Sequence, residues 1–227
     1  MKGTSNQPWP QKAPTRLFYV NDNQAGEPQK KNPQRLNVYL DGEFAFGISR
    51  AVAPWLTEGE QLTQQKIDDL KDRDQAESAY QRALNFLSYR IRSTQEIRQN
   101  LSKHQIEEEI IQQVLERLRQ VSLVDDRAFA KQWIQNRNQF KPRGKRALSS
   151  ELYRKGIPQS IIQDALEDLD ERTLAWKCGR KKALHYQRLE KESFQKKLYG
   201  YLYRRGFPYA ICQEVVSGLW EEIKQES

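Results

Sequence analysis

The chain has 227 residues, 30% of them charged, with a net charge of +8 and a mean hydropathy of −0.92. It holds no run of about 20 apolar residues of the kind that spans a membrane, and Met1–Pro14 has no apolar core like that of a secretory signal. Cys178 and Cys212 stand apart, with no metal-type spacing around them, which fits a reducing cytoplasm.

Residues 1–34, rich in Pro, Gln, Asn and Lys, read as a flexible tail with a short ordered piece at Leu17–Val20. Leu36, Val38 and Leu40 then alternate with Asn37 and Tyr39, and Phe44, Phe46 and Ile48 resume the alternation after Asp41-Gly42. Asp-Gly between alternating runs signals a β-hairpin, because both turn positions tolerate positive φ. A lone hairpin is too small to be stable, so its aromatic face should rest on the helices that follow. Arg50–Leu56 reads as a short helix interrupted near Pro54, and Thr63 as the N-cap of a polar helix through Ile67 and Leu70. Ala79–Tyr89 is more clearly amphipathic, and from there the chain reads as helices alone. Ser93 or Thr94 caps a helix holding Ile97 and Leu101, with Glu96 placed for a capping box.

One helical pattern is then written three times. Ile110, Ile111, Val114, Leu115 and Leu118 form an apolar stripe. Ile161, Ile162, Ala165, Leu166 and Leu169 repeat it, as do Ile211, Cys212, Val215, Val216 and Leu219. Leu101, Leu152 and Leu202 keep the same offsets upstream, which marks a repeated helical unit. In the second and third copies Gly156-Ile157-Pro158 and Gly206-Phe207-Pro208 join two helices: a left-handed Gly, an apolar pin, and Pro at the first position of the next helix. The first copy has Lys103-His104-Gln105-Ile106 there and should close its turn differently.

Charge is unevenly spread. Residues 1–78 carry 10 basic and 11 acidic side chains, whereas 127–155 hold nine basic residues against Glu151 alone. Residues 172–205 hold eleven against Glu190 and Glu192. Such blocks favour a polyanionic or acidic partner. Aromatics accompany them: Phe140 precedes Lys141, Arg143, Lys145 and Arg146, Tyr153 precedes Arg154 and Lys155, and Tyr203 precedes Arg204 and Arg205. These residues, with Arg180, Lys181 and Lys182, are the candidate contacts to partner or DNA. Tyr153 and Tyr203 either stack on bases or cover a helix joint, while Trp133, Trp176 and Trp220 read as core.

Catalytic signatures are missing. Arg143-Gly144-Lys145 lacks the rest of a P-loop, His104 and His185 have no second ligand at metal spacing, and Asp125-Asp126 reads as an N-cap rather than a carboxylate pair. The expectation is no enzyme, no cofactor, no metal and no small-molecule substrate. The fold expected is mainly α, an elongated array of three tandem three-helix repeats resembling helix-turn-helix units, preceded by a small β-hairpin region. Its divisions are the tail at 1–34, the hairpin and short helices at 35–78, and repeats at 79–124, 125–170 and 171–227.

Val38-Tyr39-Leu40-Asp41-Gly42-Glu43-Phe44, Phe140-Lys141-Pro142-Arg143-Gly144, Arg154-Lys155-Gly156-Ile157 and Arg204-Arg205-Gly206-Phe207 together resemble the RecX family of bacterial recombination regulators, over roughly residues 36–220. The resemblance implies a non-enzymatic regulator of RecA, the recombinase that polymerises on single-stranded DNA. It would act as a cytoplasmic monomer that binds RecA and its filament, inhibits growth and ATPase activity, and binds single-stranded DNA weakly alone. The residues also allow a direct DNA-binding helix-turn-helix protein that acts without RecA.

Overall fold

The computed structural model describes residues 16–20, 34–40, 43–56 and 61–225. Two compact units share the chain. One takes in the chain up to Phe86 together with Leu101–Val114, and the other takes in Leu87–Asn100 together with everything from Leu115 onward.

The first unit opens with an antiparallel sheet of four strands, β1 (Arg16–Val20), β2 (Arg35–Leu40), β3 (Glu43–Ser49) and β4 (Gln61–Leu62), in the order β3-β2-β1-β4. The expected hairpin is its β2–β3 half, and the Leu17–Val20 piece belongs to β1, which pairs with both β2 and β4. The Asp41-Gly42 turn lies outside the described residues. A bulge between Val38 and Tyr39 sets Val38 opposite Phe46 but Tyr39 opposite Phe44. Because one extra residue exchanges the two faces of a strand, Phe44 leaves the core face. It is 59% exposed and meets Tyr39 edge-on. Val38 and Ile48, not the aromatic residues, are fully buried, with Leu56, Leu62, Ile67 and Leu70 around them.

Arg50–Leu56 forms turns rather than a helix. Val52 N–H reaches Ser49 O and Leu56 N–H reaches Ala53 O, and Pro54 has no N–H to extend the series. Thr63 caps α1 (Gln64–Leu87), its hydroxyl accepting from Lys66 N–H at 3.3 Å. The polar and the amphipathic stretches thus belong to one helix, which runs through residue 78. Asp74 on α1 anchors the sheet, accepting from Ser49 N–H at 2.7 Å and pairing with Arg35 at 2.5 Å.

Eight further helices follow among the described residues: α2 (Thr94–Ser102), α3 (Glu108–Gln120), α4 (Asp126–Phe140), α5 (Lys145–Arg154), α6 (Gln159–Leu166), α7 (Glu171–Ala183), α8 (Lys191–Arg204) and α9 (Tyr209–Gln225). Their starts are chemically marked. Ser93 Oγ accepts from Glu96 N–H while Glu96 accepts from Ser93 N–H, a capping box. Asp125 caps α4 and Asp170 caps α7. In the second repeat Phe129, Ile134, Leu148, Leu152, Ile157 and Ile162 share one core. In the third, Phe194, Leu198, Leu202, Phe207, Cys212, Val215, Leu219 and Trp220 share another. Trp133 and Trp176, expected in the core, are only half-buried.

The turn between the second and third helices of each repeat closes in the same way all three times. Ile106 N–H reaches Leu101 O at 3.4 Å, Ile157 N–H reaches Leu152 O at 3.1 Å, and Phe207 N–H reaches Leu202 O at 3.4 Å. Each bond spans a left-handed residue: Gln105 at φ 59°, Gly156 at 75° and Gly206 at 88°. The first turn therefore does not close differently. It forces a glutamine into the conformation that glycine adopts without steric cost, a cost of about 1–2 kcal/mol. Pro158 also sits one position earlier than expected, as the N-cap of α6. Gln105→Gly should raise the stability of the first unit by about 0.5–1 kcal/mol, measured by chemical denaturation. Leu202→Ala should lower the stability of the second unit by about 2–5 kcal/mol.

Candidate functional site

The second unit contains two joints between successive repeats, built to one plan. At the first, the Thr94 N–H at the start of α2 donates to the Asp126 carboxylate at the start of α4, 2.8 Å away. The Ser93 hydroxyl donates to Lys155 O in the α5–α6 turn at 2.7 Å. At the second, Lys145 N–H at the start of α5 donates to Glu171 at the start of α7 at 2.7 Å, and Gly144 N–H donates to Arg205 O in the α8–α9 turn at 3.0 Å. In each case a helix N-terminus receives from the next repeat a carboxylate, favoured by the helix dipole, and a turn carbonyl. The carbonyl belongs to the residue just before the left-handed glycine.

These joints absorb much of the basic sequence. Lys155 Nζ pairs with Glu96 at 2.7 Å and lies over the Trp133 ring. Arg205 donates to Pro142 O at 3.0 Å, Arg146 to Tyr203 O at 2.8 Å, and Lys145 Nζ to Glu167 O at 2.9 Å. Arg143 pairs with Glu151 at 2.9 Å. Glu151, only 7% exposed, also receives Arg137 and the Trp133 indole N–H, both at 2.8 Å. It thereby ties the loop after α4 to the helix that follows. Arg180 pairs with Glu222 at 2.9 Å, and Lys182 lies over Tyr186 and Tyr201.

Lys141, Arg154, Lys181 and Arg204 remain among the candidates as exposed cations on helix ends and faces; Arg154 bonds within its own helix, to Ser150 O. Exposed aromatics stand next to three of them in sequence. Phe140 is 72% and Tyr153 70% exposed, with Tyr203 next to Arg204. The acidic run 164–171 serves its neighbours: Asp164 pairs with Arg127 at 2.7 Å and Asp170 caps α7. Sequence reading found Glu96 as the capping-box acceptor but missed its hold on Arg90 and Lys155, and it missed Glu151 and Glu171 as holders of cations and N–H groups. The available signal was that Glu151 is the lone acid in a block of nine cations.

Burial opposes charge on Glu151, yet the Arg137 and Trp133 hydrogen bonds and the two guanidinium charges prevail and hold its carboxyl below the ordinary value of 4.5. Glu96 is likewise held low, burial being outweighed by Arg90 and Lys155. A carboxyl depressed in the folded state contributes stability that is complete above its unfolded pKa. That contribution is lost as pH falls through the folded value. The second unit should therefore hold its Tm near neutrality and lose it below about pH 4.5. Glu96→Gln/Glu151→Gln should start with a lower Tm and show a shallower acid decline. Glu151→Ala alone should cost about 1–3 kcal/mol by leaving the indole N–H and guanidinium groups unpaired.

Tandem three-helix units joined by matched carboxylates and turn carbonyls, with exposed cations and aromatics at helix ends, define a modular helical-repeat protein. The chain belongs to the RecX family of regulatory proteins. The RecX N-terminal domain matches residues 27–63, and the first, second and third RecX three-helix domains match 79–118, 125–166 and 170–216. The chain is similar to the regulatory protein RecX of Oceanobacillus iheyensis, 32% identical over 177 residues, which are 75% of this chain and 65% of that protein. It is similar also to RecX of Bacillus subtilis, 34% identical over 140 residues, 61% of this chain and 53% of that one. RecX of Listeria monocytogenes is 31% identical over 145 residues, 63% of this chain and 54% of its own length. The chain thus spans about half to two thirds of the curated relatives it matches. A crystal structure of regulatory protein RecX superposes with a TM-score of 0.70 at 26% identity, covering 88% of this chain and 98% of that one. RecX from Lactobacillus salivarius does so at 0.59 and 26% identity, covering 64% and 97%.

Proposed function

We propose that this protein is a non-enzymatic, cytoplasmic regulator that binds RecA and the RecA–single-stranded DNA filament and restrains filament growth, recombinase activity and ATP hydrolysis. RecX family membership supports the regulatory role. The carrying observation is the repeated joint, which sets successive repeats in one register and leaves Lys141, Arg154 and Arg204 exposed beside aromatic residues. A filament of identical subunits around a polyanion is a partner such a series of contacts fits. The protein acts as a monomer and binds bare single-stranded DNA weakly.

The direct DNA-reading alternative draws less support. A helix-turn-helix reader presents the N-terminal residues of its second helix to base edges. Here α6 contains no Lys or Arg, α9 has only Lys224, near its end, and α3 begins with Glu108-Glu109.

Cosedimentation with preformed RecA–single-stranded DNA filaments, with bare DNA alongside, tests the proposal. Preferential sedimentation with filaments and loss of ATP hydrolysis are expected; unchanged filament assembly and hydrolysis at saturating protein would end it. Charge reversal of Lys141, Arg154 and Arg204 together should weaken filament binding about tenfold, an electrostatic loss that falls as salt rises, without moving Tm. Reversal of Arg143, Lys145 and Arg146 should lower Tm as well, because those side chains hold the loop and the second joint.

A further inference from the structure

In the third repeat three tyrosines gather where α8 meets α9. Tyr199 stacks on Tyr203, with centroids 5.9 Å apart and planes 13° from parallel, and it meets Tyr209 edge-on at 5.7 Å. The Arg146 guanidinium lies 4.4 Å from the Tyr203 ring centre. Beside the rings runs a groove of about 660 Å³, lined in part by Gln195, Lys196, Tyr199, Gln213 and Glu214.

The repeat framework does not require this trio. The second repeat keeps Tyr153 in the place of Tyr203, but Ser149 and Gln159 stand where the third has Tyr199 and Tyr209. The first repeat has Arg98, Ser102 and Glu108 at those positions. The joints form without the rings, so their clustering calls for another cause. Lys196 stands exposed on the groove wall, while the Glu214 carboxylate there is already taken by Arg172 at 2.7 Å and Trp176 at 3.2 Å.

We propose that single-stranded nucleic acid lies along this groove and is held by base stacking, with Tyr209, packed edge-on against the groove residue Tyr199, as the ring that receives a base. Tyr203 already has Arg146 and Tyr199 against it, whereas Tyr209 is 60% exposed and its hydroxyl is held by Gln213 Nε2 at 2.5 Å. An oriented, open ring, with Lys196 on the groove wall and Arg146 against the neighbouring Tyr203 to meet phosphate, is the kind of arrangement that single-strand binders use. Side-chain amides of Gln195 and Gln213 offer donors and acceptors to a base edge.

This deepens the proposed function and rests on its nucleic-acid part. The test is fluorescence anisotropy of the full-length protein with labelled oligothymidylate and with an abasic strand of the same length, at low salt. Wild type should prefer the oligothymidylate. Tyr209→Ala should lose about tenfold in affinity for it with no change toward the abasic strand and no change in Tm, and Tyr209→Phe should retain binding. Equal affinity for the two strands, or an equal loss toward both in Tyr209→Ala, would mean electrostatic attraction alone and overturn the stacking site. Failure of the free protein to bind oligothymidylate at all would overturn it too. If RecA filaments still cosedimented with the protein in that case, the regulator reading would stand by itself.

Discussion

The arrangement of the second unit depends on how a helix N-terminus is satisfied. The first turn of any α-helix exposes N–H groups with no partner inside the helix. Here the first N–H of α2 and the first N–H of α5 are each given a carboxylate that belongs to the following repeat. The neighbouring cap position in each case takes a carbonyl from that repeat's turn. One unmet need of the backbone therefore sets both the spacing and the direction in which the next repeat is placed. The left-handed glycine follows from this: it turns the chain sharply enough for the carbonyl just before it to face the preceding repeat.

The cations consequently have two destinies. Lys155 and Arg205 sit at equivalent places beside their glycines and are drawn inward, over Trp133 and Tyr201 respectively. Arg154 and Arg204, one residue earlier, are exposed. A dense basic block is thus part mortar and part surface, and the division alternates along the helix end. The buried Glu151 and the half-buried Glu96 make the inward half tolerable, since an unpaired buried cation would be strongly unfavourable.

Much of this was legible in the sequence. The apolar stripes and the spacing of Leu101, Leu152 and Leu202 announced the repeats, because a helix buries one face at a fixed period. Ser93, Asp125 and Thr63 marked helix starts by their side-chain acceptors. Other features were not legible. Gln105 adopts the left-handed turn because the surrounding hydrogen bonds demand it, and propensity alone points elsewhere. The strand bulge that turns Phe44 outward leaves no mark in an alternating pattern. Counting charges could not separate Arg143, held by Glu151, from Arg154, because that depends on which distant acid lies within reach. The tyrosine cluster escaped notice since Tyr199, Tyr203 and Tyr209 converge only when α8 and α9 fold together.

The two joints also differ in what they are made of. Side-chain groups carry the first: a hydroxyl, two carboxylates and an ammonium. The second adds a main-chain bond between Gly144 and Arg205. Space is exhausted at both: a methyl group on Gly156 at the first joint would come within 2.3 Å of Gln95 Cβ. A methyl group on Gly144 would come within 2.4 Å of Gly206 O, and one on Gly206 within 2.6 Å of Ala147. Descendants of this sequence could retune the first joint one side chain at a time. At the second, side chains such as Glu171 and Arg146 can be exchanged in the same way, but the bond between Gly144 N–H and Arg205 O belongs to the main chain and survives every substitution that keeps the backbone, so shifting the third repeat against the second should be written as a change in chain length at that joint.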